Sequence, residues 1–231
     1  MNDDLALTRL LQLASPALPV GAYSYSQGLE AAVESGVVRN AADAECWIGD
    51  MLQHSMSRLE APLWWRLYAA WDKGDGSDVR EWNDWFIVTR ETAELRAETL
   101  QMGYSLVRLL ADIAGEGEGF DRAALASLQS LAEVAFPTAF AFAATQWRIP
   151  ARAALNAYLW SWLENQTMAA VKAVPLGQTD GQRLLSRLGS RIVISLDAII
   201  AENGLEMNNY CHGLAIASSV HETQYSRLFR S

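Results

Sequence analysis

The sequence predicts an all-α protein, a single domain built as a bundle of roughly nine to eleven helices. Apolar residues recur at helical spacing along most of the chain, as in the row Leu184, Leu188, Ile192, Leu196 and Ile199. No stretch alternates apolar and polar residues between paired turn signals, which is the pattern of β-hairpins. No linker rich in Gly, Ser or Pro divides residues 1–231.

The order of the helices follows from the residues that begin and end them. Side chains that can accept a hydrogen bond from a first helical turn mark the expected starts. These N-caps are Asp3 or Asp4, Ser24 or Ser26, Asn40, Ser77 or Asp78, Asp121, and Thr179 or Asp180. Glycine and proline mark the expected stops and loops at 16–21, Gly36, 73–76, 115–119, 175–177 and Gly204. Pro62 is expected either to kink its helix or to start a new one, and Pro137 and Pro150 are expected near the starts of two further helices.

One helix carries a row of acidic residues. Arg90 and Glu94 are four residues apart, so an ion pair between them is expected on the helix that covers 89–103. Glu91, Glu94 and Glu98 are expected to share one face. A solvated acidic face is one interpretation. The alternative is a helical enzyme that uses the carboxylate row Glu91/Glu94/Glu98 for acid–base chemistry.

Composition excludes several classes of function. The net charge of −9 and the pI near 4.8 disfavour a nucleic-acid partner. Two cysteines provide no disulfide framework, and an acidic start without a signal-peptide pattern predicts a cytoplasmic protein. The longest uncharged runs are shorter than the roughly 20 residues that span a bilayer, so no membrane association is expected.

Residues that would bind a cofactor or a resident metal are scarce. The chain has no phosphate-binding glycine motif and no Cys/His spacing of a zinc site. Its three histidines are His54, His212 and His221. We therefore predict no cofactor and no permanent metal site, and a weak, transient metal site stays open.

Two polar stretches stand out as candidate working surfaces. Pro175 interrupts the helical pattern of 171–183, and the run from Gln178 to Arg183 then contains no apolar side chain. This stretch is interpreted as a helix stop followed by an N-cap, or as a surface that binds a partner. Residues 221–231 combine arginine with aromatic residues, the types enriched at interface hot spots, and this end is interpreted either as docked or as ordered on binding.

Four long and irregular runs resemble one protein family. They are SPALPVGAYSYSQGLE (Ser15–Glu30), RETAELRAETLQMGYSL (Arg90–Leu106), AAVKAVPLGQTDGQRLL (Ala169–Leu185) and HETQYSRLFRS (His221–Ser231). Together they resemble UreF, a urease accessory protein, in the order that the family has them.

The resemblance implies a non-enzymatic, all-helical cytoplasmic protein, a chaperone-type component of nickel insertion during urease maturation. Family members are expected to form a homodimer and to bind UreD, also called UreH. Together they recruit the GTPase UreG and engage apo-urease, and the regulation of GTP hydrolysis on UreG gates nickel delivery.

The resemblance also implies where partners bind. The UreG contact is expected near Glu30, Lys172, Gln178 and Arg183. The segment 221–231, expected to be a flexible tail, is placed on the UreD side or is ordered by a partner. Its candidate contacts are His221, Glu222, Tyr225, Arg227 and Arg230. Arg183 is either an interface anchor or a trans-acting arginine on the UreG nucleotide.

Overall fold

Helices account for most of the chain, and none of the described residues lies in a β-strand, so the all-α prediction is confirmed. A computed structural model describes residues 3–115, 120–201 and 207–231. The expected loop at 115–119 falls almost wholly outside the described residues, and Gly204 also lies outside them. The α-helices are α1 (Asp3–Leu13), α2 (Leu29–Glu34), α3 (Ala41–Met51), α4 (Ala61–Lys73), α5 (Gly76–Val88), α6 (Ala93–Gly115), α7 (Arg122–Gln129), α8 (Phe136–Gln146), α9 (Ala151–Ala173), α10 (Gln178–Ala201) and α11 (His212–His221).

Two of the expected N-caps are confirmed and one is shifted. The Asn40 side chain accepts hydrogen bonds from the first turn of α3, and the Asp121 side chain does the same for α7. At α5 the cap is Asp75, whose Oδ1 accepts from the backbone N–H groups of Ser77 and Asp78. The prediction of Ser77 or Asp78 was wrong because Gly74, with φ of 70°, already ends α4 and leaves Asp75 to start the next helix.

The starts of α2 and α10 also differ from the prediction. A short 3-10 helix covers Ala22–Ser24, and α2 begins at Leu29 after Gly28 rather than at Ser24 or Ser26. Gly28 has φ of 76°, and a Cβ there would lie 3.0 Å from the backbone nitrogen of Ser218. Glycine therefore allows the start of α2 to lie close to the α11 backbone. Helix α10 begins at Gln178, which places Thr179 and Asp180 inside its first turn.

Pro62 lies in the first turn of α4, as one of the two expectations for it had it, and no break in the chain separates α4 from the helix before it. A π-helical segment, Leu52–Glu60, joins α3 to α4 without a break. Pro62 has no N–H group, so the Arg58 carbonyl four residues earlier needs another donor. The backbone N–H of Asn208 donates to it at 3.2 Å, and the N–H of Tyr210 donates to the His54 carbonyl at 3.3 Å. The segment before α11 therefore attaches to the helix where its own hydrogen bonding is irregular.

The core surrounds α8, which contacts α4, α6 and α9. Residues Pro137 to Ala144 are all buried, as their uniformly apolar composition predicts. At Gly103, helix α6 passes very close to the segment that precedes α8, since an added Cβ would lie 1.9 Å from the Val134 carbonyl oxygen. The predicted apolar row of α10 is also buried. One apolar core thus holds the helices, and the irregular segments lie around it.

Candidate functional site

The C-terminal segment, residues 221–231, is docked against the bundle by hydrogen bonds along its length. The Arg230 N–H donates to the Ser24 carbonyl at 2.7 Å. The Ser26 backbone N–H and hydroxyl both donate to the Ser231 carbonyl, at 2.6 and 2.5 Å. Phe229 is 6% exposed and Ser231 is fully buried. In this structure the segment therefore lies docked on the bundle.

Glu30 on α2 is the centre of this docking. Its carboxylate accepts hydrogen bonds from the backbone N–H groups of Leu228 and Phe229, at 2.7 and 2.9 Å. The Gln224 amide donates to it at 3.4 Å. Only 7% of Glu30 is exposed. Because a buried carboxylate is stable only when its oxygens have donors, Glu30 and the C-terminal segment stabilise each other.

His221 lies between two carboxylates. Its Nε2 is 3.3 Å from a Glu30 oxygen, and its Nδ1 is 2.8 Å from a Glu94 oxygen on α6. The ring is fully buried. Each ring nitrogen lies within hydrogen-bond distance of a different carboxylate. His221 therefore links α2 to α6 through the end of α11.

Two further contacts join the segment to the start of α6. The Arg227 guanidinium donates to the Glu94 carboxylate at 2.7 Å and to the Glu222 carbonyl at 2.8 Å. The Glu222 carboxylate accepts from the Ala93 and Glu94 backbone N–H groups at 2.9 and 3.3 Å. Glu222 thus caps α6 from a distant part of the chain, at the end where a helix favours negative charge.

Glu98 is the third carboxylate beneath the segment and is 6% exposed. The Ser231 hydroxyl donates to one of its oxygens at 3.1 Å, and the Gln27 amide donates to the other at 2.9 Å. Burial raises the pKa of Glu98 to about 7, although the hydrogen bonds from Gln27 and Ser231 act in the opposite direction. Gln27 also accepts from the Trp162 indole at 2.8 Å, which connects Glu98 to α9. We call Glu30, Glu94 and Glu98 the carboxylate cluster.

The outer face of the docked segment is basic and aromatic. The Lys172 ammonium lies 5.7 Å from the ring centre of Phe229 and 6.0 Å from that of Tyr23. Tyr225 and Leu228 are exposed, Leu228 at 72% of its surface. Negative side chains hold the segment from beneath, while cationic and apolar groups face outward.

The other predicted contacts lie at the turn between α9 and α10. Gln178 and Arg183 are exposed on the first turns of α10, and the Arg183 guanidinium donates to Asp180 at 3.0 Å. A shallow groove of about 190 Å³ separates this end of α10 from the start of α3. Across it Arg187 pairs with Glu45 at 2.7 Å.

The structure brings one group of predicted residues together and leaves another apart. The group around the C-terminal segment contains Glu30, Lys172, His221, Glu222, Tyr225, Arg227 and Arg230. Gln178 and Arg183 belong to the turn between α9 and α10 instead. Gln27 was not among the predicted site residues, although it is the single amide side chain in the stretch 15–30.

The predicted ion pair between Arg90 and Glu94 was wrong. Residues 89–92 lie between α5 and α6, so the two side chains do not share a helix. Arg90 lies over the Phe86 ring at 4.1 Å, and its Nη1 is 3.5 Å from Glu60. Glu94 pairs with His221 and Arg227 instead.

The expectation of a solvated acidic face is also corrected. The Glu94 side chain is 11% exposed and Glu98 is buried, and both accept hydrogen bonds from the C-terminal segment. Glu91 is exposed and accepts from the Asn209 amide. The carboxylate row therefore serves to bind this segment and its neighbour.

In the described part of the chain, no three or more His, Cys, Asp or Glu side chains are arranged to hold a metal ion. Within the same residues, no helix is both long and apolar enough to cross a membrane.

The sequence of the chain matches one known protein family. The family model described as UreF matches residues 38–189. A urease accessory protein UreF from Azoarcus sp. (strain BH72) is 61% identical over 98% of this chain and 96% of its own length. The relatives from Dechloromonas aromatica and Methylobacillus flagellatus, with the same name, are 54% and 48% identical over 100% of both chains.

Proposed function

The chain belongs to the UreF family of urease accessory proteins, and we propose that it is a non-enzymatic component of the machinery that inserts nickel into apo-urease. It acts in the cytoplasm as a scaffold that binds UreD, also called UreH, and the GTPase UreG. The resulting complex engages apo-urease and gates GTP hydrolysis on UreG.

The observation that carries this proposal is the docked C-terminal segment. Its backbone is fixed by the carboxylate cluster, while Tyr225 and Leu228 remain exposed beside Arg227 and Arg230. Exposed aromatic, apolar and arginine side chains on a fixed backbone suit a protein interface, because less ordering entropy is lost on binding. We assign this face to UreD.

UreG is assigned to Lys172, Gln178 and Arg183, which are exposed. Glu30 is assigned an indirect role in this surface. Its carboxylate binds the C-terminal segment and has little exposed surface left for a partner. Arg183 is tied to Asp180, a geometry that favours an interface anchor over a mobile arginine that reaches the UreG nucleotide.

The homodimer is assigned to the exposed seam between α9 and α10. At one point of this seam Arg152 pairs with Asp197. At another, Trp160 of α9 packs against Gly189 of α10, where an added Cβ would lie 3.3 Å from the Trp160 ring. Val193 lies between these two contacts along α10 and is 52% exposed. An exposed tryptophan and an exposed valine on one face favour a second copy of the chain.

The test of the scaffold role is assembly from purified components. The protein is mixed with UreD and UreG, with and without GTP and Mg²⁺, and analysed by size-exclusion chromatography. A ternary complex is expected. Failure of the three proteins to co-elute under every nucleotide condition would contradict the proposal.

A pair of tyrosine variants locates the UreD face. Tyr225→Ala is expected to weaken UreD binding about tenfold or more, as loss of an aromatic hot spot does. Tyr104→Ala removes another exposed tyrosine, on α6, and is the matched control. Equal affinity of the two variants for UreD, measured by calorimetry, would remove Tyr225 from the interface.

A further inference from the structure

A cavity of about 80 Å³, lined by both apolar and polar side chains, lies between the loop before α2 and helices α5, α6 and α9. Loop residues Ser15, Pro16 and Leu18 form one wall. The opposite side carries charged groups, among them Arg90 and Glu98. The cavity does not belong to the partner-facing surfaces described above, although Glu98 contacts both the cavity and the C-terminal segment.

Two side chains that line the cavity have buried polar atoms without a hydrogen-bond partner among the described residues. They are Nε and Nη2 of Arg90, which are donors, and Oδ1 of Asn165, which is an acceptor. The Arg90 side chain is 8% exposed and Asn165 is 7% exposed. A buried donor or acceptor without a partner destabilises the fold, and a charged one does so more, so a guest that pairs these atoms is favoured.

The charges around the cavity select the guest. The lining contains one guanidinium, that of Arg90, and three carboxyl groups, those of Glu60, Glu98 and Glu164. Arg90 is already 3.5 Å from Glu60. An added anion would lie near these carboxyl groups, with the one guanidinium already shared, and would be repelled. A neutral molecule that both accepts and donates hydrogen bonds meets the requirement.

We propose that the cavity binds a cluster of ordered water molecules that bridges Arg90 to Asn165. Water supplies an acceptor to the guanidinium and a donor to the amide oxygen. The volume of about 80 Å³ accommodates at least two molecules, because each occupies roughly 30 Å³ in the liquid. The loop over the cavity is therefore held against a hydrated polar wall as well as against apolar side chains.

The test is a high-resolution crystal structure of the full chain, with a second crystal pressurised with xenon. Water is expected within hydrogen-bond distance of Arg90 and Asn165, and xenon is expected to stay out, because xenon enters dry apolar cavities. Xenon in the cavity, density for an organic molecule there, or an Arg90 side chain turned onto protein acceptors would overturn the proposal.

A solution measurement separates these waters from others in the protein. Oxygen-17 relaxation dispersion of solvent water counts long-lived internal molecules in the wild type and in Asn165→Leu. The variant is expected to retain fewer. Asn156→Leu, at an exposed position of the same helix, is the matched control and should match the wild type. An unchanged count in a folded Asn165→Leu protein would contradict the bridging role, and the wild-type crystal provides the test if that variant does not fold.

Discussion

The C-terminal segment and the turn between α9 and α10 carry similar polar side chains but use them differently. In the segment, the carboxylates of Glu30 and Glu94 receive donors that come from residues more than 120 positions away. At the turn, Arg183 pairs with Asp180, three residues earlier on the same helix. One region uses its charges to hold the fold together, and the other leaves them at the surface.

The difference teaches that charge in a candidate interface has two meanings. A buried carboxylate with several donors is expensive to remove because its donors are left unpaired. An exposed ion pair contributes little to stability, so its side chains are free to serve a partner. Substitutions in the two regions should therefore separate effects on folding from effects on binding.

The largest effect is expected at Glu30. Glu30→Ala leaves the N–H groups of Leu228 and Phe229 without their acceptor and should lower the free energy of unfolding by about 3 kcal/mol. Urea denaturation measures the change, and limited proteolysis should show release of the C-terminal segment. Glu34→Ala, at the exposed end of the same helix, is the control. Equal stability of both variants would mean that the segment is not anchored by this carboxylate.

Glu98 should make stability depend on pH. Its pKa is about 7 in the fold against an ordinary value of 4.5, so the unfolded chain loses this proton first. The stability that neutral Glu98 contributes is fully present below the ordinary value and is lost as the pH rises to about 7. The free energy of unfolding of Glu98→Gln, relative to that of the wild type, should therefore rise by on the order of 2–3 kcal/mol from about pH 4.5 to pH 8.

Urea unfolding of both proteins at the two pH values measures this change. Glu81→Gln, at an exposed position of α5, provides the comparison and should follow the wild type at both. If the difference between Glu98→Gln and the wild type does not depend on pH, the pKa of Glu98 is the same in the folded and unfolded chains.

A smaller effect is expected at Glu222. Glu222→Ala removes the acceptor of the Ala93 and Glu94 N–H groups, while the Thr92 hydroxyl still accepts from the Leu95 N–H. The alanine variant should cost about 1 kcal/mol, and Glu222→Gln, which keeps an acceptor oxygen, should cost less. Hydrogen exchange at the Ala93 and Glu94 amides should accelerate in the alanine variant. Equal exchange in the alanine and glutamine variants would show that the carboxylate does not cap this helix.

The smallest effect on folding is expected at Arg183. Arg183→Ala should change the free energy of unfolding by less than about 0.5 kcal/mol, because its ion pair is exposed. UreG binding should weaken about fivefold to twentyfold, a loss of about 1–2 kcal/mol. Calorimetry measures the affinity, and GTP turnover by UreG in the assembled complex distinguishes the two roles. If GTP turnover by UreG is lost even when Arg183→Ala saturates UreG, Arg183 acts in trans on the nucleotide. If turnover is unchanged, Arg183 is an interface anchor.

Local sequence predicted most of the fold. Helical periodicity identified the buried row of α10 and the buried α8, and Asn40 and Asp121 cap the helices that they were expected to cap. These features depend on residues within one or two turns, which is why they can be predicted without tertiary structure.

Features that depend on distant residues were missed. The break at 89–92 separates Arg90 from Glu94, and Arg90 instead pairs with Glu60 of the π-helical segment. The acceptor for the first two N–H groups of α6 comes from Glu222, more than 120 residues later. Spacing along the sequence carries no information about a partner that the fold brings from another helix.

The sequence by itself determined that this protein is a helical bundle, and it supplied the acidic, basic and aromatic side chains of the candidate surfaces. Tertiary structure alone decided how each is used. Glu30 is buried because α11 and the segment after it bring backbone N–H groups to its carboxylate, whereas Arg183 stays exposed because its acid lies beside it. The free energy of burying a charge depends on the donors around it, and only the fold assembles those donors.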